Sequence, residues 1–448
     1  MPGRTQPSSG YTDSSIEYEL FQTYSVSTNG FLPAKEPLRR LSSSYYAPWE
    51  STVEDLPSLL REGTLRKAVD DLETLSTSKL RSEEEWRRAY VVLSFLAHGY
   101  IWGGEKPSEV LPRAVSVPFL QVSKHLELPP VATYAGLNLW NFKSTGSDFR
   151  DLDKLEALHT FTGTVDESWF YVVSVAMEAE GGTIIPVLFR ALEAARNRDY
   201  STVIKALGEA TACIGKLGQL LDRMDEKCDP TVFYHQIRPF LAGSKNMGVA
   251  GLPNGVLYQD KEGRTSWKQL RGGSNGQSSL IQFLDVALGV EHTSTGGGSR
   301  IGAVMPQGGR GATPGFHEEV RSYMPAPHRE FLQHVSRMGS LKELANEPAV
   351  SEEQRQLQVA FQVVTKALGD FRNRHMRIVS RYIVVPSRKQ TRNSTVNLAT
   401  ASSRGSKPPG EELTGTGGTA LIPFLKRTRD ETYLAGVLAP DMQSEVRI

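Results

Sequence analysis

One histidine sits where an imidazole could do chemistry. Val364, Leu368, Phe371, His375, Val379 and Tyr382 step by three or four along the chain, the spacing of a single helix face. The His375 imidazole therefore lies on an apolar stripe and faces an interior. A buried imidazole has to be hydrogen-bonded or ligated, so two readings stand: a satisfied core histidine or a metal ligand. Arg372 and Arg381 flank the stripe at helical spacing. An apolar wall with one imidazole and nearby guanidinium groups would suit a haem, with an axial ligand to the iron and a cation for an anionic propionate.

Two further clusters have the character of pocket linings. Phe170 and Ser174 are four apart, which on a helix puts a hydroxyl beside an aromatic ring on one face. Phe233 and Tyr234 precede Arg238; a regular helix puts Tyr234 and Arg238 on one face and leaves Phe233 to the side. Plain core packing with a snorkelling arginine fits both clusters as well. The run Gly272-Gly273-Ser274-Asn275-Gly276-Gln277-Ser278-Ser279 is a compact turn that enters an apolar helix. It lacks the terminal Gly-Lys-Ser/Thr of a phosphate-binding loop and the preceding strand of a dinucleotide fold, so neither nucleotide signature is present.

The elements that must position these groups are helical. Apolar residues recur at helical spacing from Val53 to Val69 and from Trp86 to Ala97. Further helices are predicted over 169–179, 184–195, 201–225, 232–241, 280–288, 318–336 and 352–385. Almost no alternating pattern is found, which makes the fold class all-α, in two domains. Residues 1–45 read as a flexible N-terminal arm because few apolar side chains offset the ordering entropy. A small helical domain follows over 46–150, and a large helical domain over 151–448. Two stretches, 293–315 and 387–420, read as disordered-looking loops; the second ends in Gly415-Thr416-Gly417-Gly418-Thr419.

Composition narrows the partners. Lys plus Arg is 51 and Asp plus Glu is 50, a formal charge of +1, so neither nucleic acid nor an anionic membrane is expected. No apolar run approaching the ~20 residues of a membrane span stands out. The N-terminus carries Asp13, Glu17 and Glu19 and no apolar core, which argues against a secretory signal or transit peptide. Cys213 and Cys228 match neither CxxC nor CxxCH. A cytoplasmic monomer is the expectation.

The same residues carry a resemblance. Leu128-Pro129-Pro130-Val131-Ala132-Thr133-Tyr134-Ala135, Trp169-Phe170-Tyr171-Val172-Val173-Ser174 and Phe233-Tyr234-His235-Gln236-Ile237-Arg238 are followed by the Gly272 turn. Then come Tyr323-Met324-Pro325-Ala326-Pro327-His328-Arg329, Arg372-Asn373-Arg374-His375-Met376-Arg377-Ile378-Val379 and the Gly415 motif. In this order and spacing the chain, from about Leu111 to Leu425, resembles the indoleamine 2,3-dioxygenase family, in a fungal-type form. The resemblance implies a small N-terminal and a large C-terminal helical domain around one haem b. It also implies an oxidoreductase that opens the indole of L-tryptophan with O₂ to give N-formylkynurenine, the first step of the kynurenine route of tryptophan catabolism. An electron donor would keep the iron ferrous.

By that resemblance His375 is the metal ligand and Arg372 a propionate partner. Tyr134, Phe170, Ser174, Phe233 and Arg238 line the substrate pocket, with Arg238 on the substrate carboxylate. Ser274 and Asn275 pass over the haem, and Thr416 helps close the site. Ser174 stands where the related tryptophan 2,3-dioxygenases place a histidine, which favours the indoleamine branch. Asn275, Tyr234 and Leu137 depart from the animal pattern of alanine, phenylalanine and cysteine. The alternatives are a haem protein of the same fold with weak activity or another indole substrate, acting as a sensor, and a non-haem protein whose apolar stripe docks a partner helix.

Overall fold

A computed structural model describes residues 13–248, 250–292, 316–388 and 421–438. The regular structure of the described residues is mainly helical, and its named strands form two antiparallel ribbons, Phe142–Ser144 with Leu155–Ala157 and Val256–Gln259 with Thr265–Lys268. Side-chain caps set many helix starts. Ser82 and Thr164 accept from the backbone N–H three residues on, and Ser351 with Gln354 forms a capping box at the head of the longest helix, Glu352–Val379. The single helix expected over 318–336 is two, Phe316–Arg321 and Ala326–Arg337. Pro325 and Pro327 explain the break, since a proline interrupts the interior of a helix and is tolerated in a first turn.

Two hydrophobic cores flank the site. One joins Trp49, the Glu83–Trp102 helix, Phe119 and Phe142 to the Val165–Gly182 helix and the 233–258 segment. The other is built by the helices Ile185–Arg196, Tyr200–Asp222, Ser279–Leu288, Ala326–Arg337 and Glu352–Val379. The Glu352–Val379 helix packs along Tyr200–Asp222 on one side and Leu421–Ala435 on the other. Phe142, Phe149, Leu152 and Leu155 all belong to the first core, which therefore runs unbroken across the boundary expected at residue 150.

The arm expected over 1–45 is corrected from residue 13 on; residues 1–12 lie outside the described residues. Asp13–Thr23 is a helix, and Val26, Phe31, Leu32 and Leu41 are buried. Its apolar residues are few, but several are aromatic. Phe21 meets Phe189 edge-on at 5.4 Å between ring centroids, and Phe31 lies 4.8 Å from His328. Each such ring removes enough area from water to contribute roughly 1.5–3 kcal/mol. The apolar count is corrected as well: Val165–Arg196 is long and apolar enough by composition to cross a membrane, yet 78% of its most apolar window is buried inside the protein. Cys213 and Cys228 are free and buried. The expected loop 293–315 lies outside the described residues, as does the expected loop 387–420 beyond Arg388; its first two residues, Ser387 and Arg388, end the helix Val385–Arg388.

His98 ties the Glu83–Trp102 helix to the backbone at Phe240 and Ala132. Its Nδ1 donates to the Phe240 carbonyl at 2.7 Å, so Nε2 is left to accept the Ala132 N–H at 2.9 Å. The second bond requires the neutral ring, and burial pushes its pKa down to about 4. The unfolded histidine titrates near 6.5. Stability from this site is therefore complete above that pH and falls as acid protonates the unfolded chain but not the native ring. At pH 5 the loss is about 2 kcal/mol. Thermal melts at pH 7 and pH 5 should show this loss in the wild type and a smaller one in His98→Gln; equal losses would contradict the assignment.

Candidate active site

The cavity, about 250 Å³, opens between the two cores. His375 projects into it from the Glu352–Val379 helix, between Phe371 and Val379. Its ring is half-buried, with its accessible surface on the cavity, and it has no hydrogen-bond partner among the described residues. Burial, with Arg372 adding repulsion, pushes its pKa down to about 4. The ring is thus neutral at pH 7 with a lone pair turned to an apolar space. That is the state in which imidazole ligates a metal. Among the described residues no three His, Cys, Asp or Glu side chains converge as a ligand set. A metal held by His375 would draw on no other such side chain among them, a donor set that would suit a macrocyclic iron.

Across the cavity the Val165–Gly182 helix presents Phe170, Ser174, Met177 and Glu178. The Phe170 and Phe233 rings pack on one another, 4.7 Å apart at 44°, and form one aromatic wall of the cavity that suits a flat aromatic ligand. Tyr134 enters from the other side, and its hydroxyl donates to Glu178 Oε1 at 2.9 Å.

Three π-helical turns shape these walls: Ala135–Leu139, Phe233–Ile237 and Ser380–Val384. The second corrects the sequence reading. In it the Arg238 N–H donates to the Phe233 carbonyl, five residues back. A wider turn of that kind brings residues five apart onto one face. Phe233 and Arg238 consequently share the cavity wall, while Tyr234 turns away and lies beneath the guanidinium, its ring centre 5.5 Å from the carbon. The Arg238 side chain is 1% exposed, and desolvation draws its pKa down from that of a free arginine. A buried guanidinium at an apolar pocket favours an anionic partner with two oxygens.

The glycine turn closes one end. Gly273 packs so closely on Leu137 that a Cβ there would come within 2.5 Å of a leucine methyl. Ser274 caps a short 3₁₀ turn by accepting from the Gly276 N–H, and Asn275 lies beside it on the cavity. Gln277 ties the turn to the opposite wall, accepting from the Tyr134 N–H and donating to the Gly272 carbonyl, both at 2.9 Å.

Arg372 lines the cavity but is held by protein groups. Both Asp285 oxygens lie 2.7 Å from its Nη2, while Nη1 reaches the Thr428 carbonyl and the Thr432 hydroxyl. Arg372, a propionate partner by the resemblance, is paired in this structure with the internal carboxylate of Asp285. Its visible work is to brace the Leu421–Ala435 helix against the His375 helix. Thr416 lies outside the described residues.

The indoleamine 2,3-dioxygenase family model matches residues 20–435. The chain belongs to the indoleamine 2,3-dioxygenase family. It is 40% identical to an indoleamine 2,3-dioxygenase of Saccharomyces cerevisiae over 95% of each chain. It is also 40% identical to one of Aspergillus candidus over 92% of this chain and 96% of that one. A 6-hydroxytryptophan 2,3-dioxygenase of Fusarium equiseti is 38% identical over 91% of this chain and 96% of its own length.

As an indoleamine 2,3-dioxygenase family member the protein is a dioxygenase, an oxidoreductase of the tryptophan type. Its cavity brings together Tyr134, Phe170, Ser174, Phe233, Arg238, Ser274, Asn275, Arg372 and His375, which the sequence scatters over some 240 positions. Glu178 and Asp285 are acids on the same lining that the sequence reading does not single out. For Glu178 a signal existed: it follows Ser174 by four on the Phe170 stripe. Asp285 is a lone acid in the apolar Ser279–Leu288 helix, the pattern of a buried partner rather than a solvated face.

Proposed function

We propose that this dioxygenase binds haem b through His375 and cleaves the C2–C3 bond of L-tryptophan with O₂, giving N-formylkynurenine. The observation that carries the haem is the neutral, unpartnered imidazole turned into an apolar cavity. The apolar wall of Phe371, Ile378, Val379 and Phe424 fits the rim of a porphyrin. When bound, the ferrous haem supplies the O₂ activation that a closed-shell indole needs.

The chain's own residues do the rest. Arg238 binds the substrate carboxylate through two parallel hydrogen bonds, desolvated and therefore directional. Phe170 and Phe233, packed on one another, form one aromatic wall for the indole and exclude water from that face. Ser174 meets the indole N–H. Proximity is the main service here, because holding the reacting carbons against the oxygen site converts an encounter into a positioned reaction. Both oxygen atoms enter the product, so turnover consumes no reductant; an electron donor serves only to keep the metal ferrous. The proposal extends to a monomer in the cytoplasm.

The name of the Fusarium relative supports a second substrate, a tryptophan hydroxylated on its benzo ring, for which the Tyr134, Ser174 and Glu178 end of the cavity offers polar partners. Turnover of L-tryptophan to N-formylkynurenine by the haem-loaded protein tests the first reading. Product only from the hydroxylated substrate would favour the second.

A further inference from the structure

Four ionisable side chains from three neighbouring helices meet beside the cavity. Asp285 comes from the Ser279–Leu288 helix, Arg372 from Glu352–Val379 and Glu431 from Leu421–Ala435, and His292 follows the first helix by four residues. Their side chains are 7–13% exposed, so water and salt screen them little. Glu291, next to His292 in the chain, is exposed.

The His292 ring stands between the two acids. Its Nδ1 lies 2.8 Å from Glu431 Oε2, and its Nε2 lies 3.2 Å from Asp285 Oδ2. An ionised carboxylate only accepts, so both ring nitrogens must donate, and only imidazolium carries two N–H groups. With Arg372 on both Asp285 oxygens at 2.7 Å, two cations then balance two anions. The helix that carries Glu431 also presents Leu421, Phe424, Leu425 and Thr428 to the cavity.

We infer that His292 is a positioning residue: as an imidazolium it fastens the Leu421–Ala435 helix over the cavity, and the helix loosens there when the ring gives up its proton. Its consequence for function rests on the haem reading, in which Phe424 borders the porphyrin. A neutral ring keeps one N–H and turns a lone pair on one carboxylate, whichever tautomer forms, and leaves one buried negative charge uncompensated. Arg372 still reaches Thr428 and Thr432, and the Tyr433 hydroxyl still donates to Asp370 at 2.7 Å. The helix therefore loosens without leaving.

The direction of the pH effect follows. Burial draws the His292 pKa down, but Asp285 outweighs it and Glu431 adds to Asp285 against the opposing charge of Arg372, so the pKa is raised. An exposed histidine titrates near 6.5. The fastening is thus complete below that pH and is lost as pH rises through the pKa of the fastened ring.

The test is hydrogen exchange of the Leu421–Ala435 amides in the full-length protein, with and without haem, from about pH 6 to about pH 9. After correction for the intrinsic base dependence of exchange, helix opening in the wild type should rise above about pH 6.5 by up to about tenfold per pH unit, the limit for one proton. His292→Gln, which does not titrate, should show no such rise, although Glu178, with a pKa pushed up to about 7 by burial, is unchanged in it. Glu431→Gln should keep the helix protected at high pH with a shallower rise, because a carboxamide can accept from the charged ring or donate to the neutral one.

Wild-type opening that ignores pH overturns the inference, and so does a rise that persists in His292→Gln. Should His292→Gln fail to fold by circular dichroism, Glu431→Gln decides, and the full wild-type rise in that variant overturns the inference. Transfer of haem to excess apomyoglobin separates this inference from the haem reading. It should quicken with pH in the wild type and not in His292→Gln. Haem loss that ignores pH while helix opening follows it would contradict the haem wall and leave the fastening established.

Discussion

Replacing His375 with alanine is expected to abolish haem retention while leaving the helical fold in place. The imidazole makes no hydrogen bond within the described protein, so its removal leaves no buried donor or acceptor stranded. What it opens is space on a wall already bordering a cavity. The apo variant should therefore fold as the wild type does. Its acid stability should improve, since a histidine whose pKa is held near 4 weakens the fold as pH drops below about 6.5. After reconstitution and gel filtration, the absorption spectrum should show a near-complete loss of the Soret band. Full haem content in His375→Ala would mean that another residue holds the iron.

The second large effect belongs to Arg238. A fully buried guanidinium facing a mostly apolar cavity is matched to a carboxylate that leaves water on binding. Truncating one partner of such a desolvated pair costs about 2–5 kcal/mol, which is roughly thirty-fold to several thousand-fold in affinity. Arg238→Ala should raise the KM for tryptophan within that range and leave the Soret band unchanged, since the residue sits across the cavity from His375. Arg238→Lys should recover only part of the loss, because an ammonium cannot make two parallel bonds to one carboxylate. An unaltered KM in Arg238→Ala would show that the carboxylate is held elsewhere.

The two residues also differ in how far sequence could reveal them. The His375 stripe obeys the 3.6-residue period of a regular helix, so spacing alone placed the imidazole on an inward face. Arg238 sits just beyond a π-turn, where the period lengthens and residues five apart align. No pattern of apolar residues announces that widening, and regular spacing therefore paired Arg238 with Tyr234 instead of Phe233. The N-terminal segment was misjudged for a different reason. A count of apolar residues weights Phe21 and Phe31 no more than any others, whereas the structure gives each a prepared aromatic partner. Arg372 was placed on the cavity as expected, but its Asp285 partner lies 87 positions away, and a contact of that separation leaves no trace in local sequence. Glu178 was legible in its spacing and missed on chemistry, since a helical glutamate ordinarily belongs to a solvated face.

The central claim is that this fold holds a histidine-ligated haem beside a tryptophan site. It is tested most directly by reducing the haem-reconstituted protein without oxygen, then adding O₂ and L-tryptophan while recording the Soret spectrum and product together. A histidine-ligated spectrum accompanied by N-formylkynurenine is the predicted result. A haem spectrum without product would contradict the proposed tryptophan reaction, and a protein that takes up no haem would contradict the role assigned to His375.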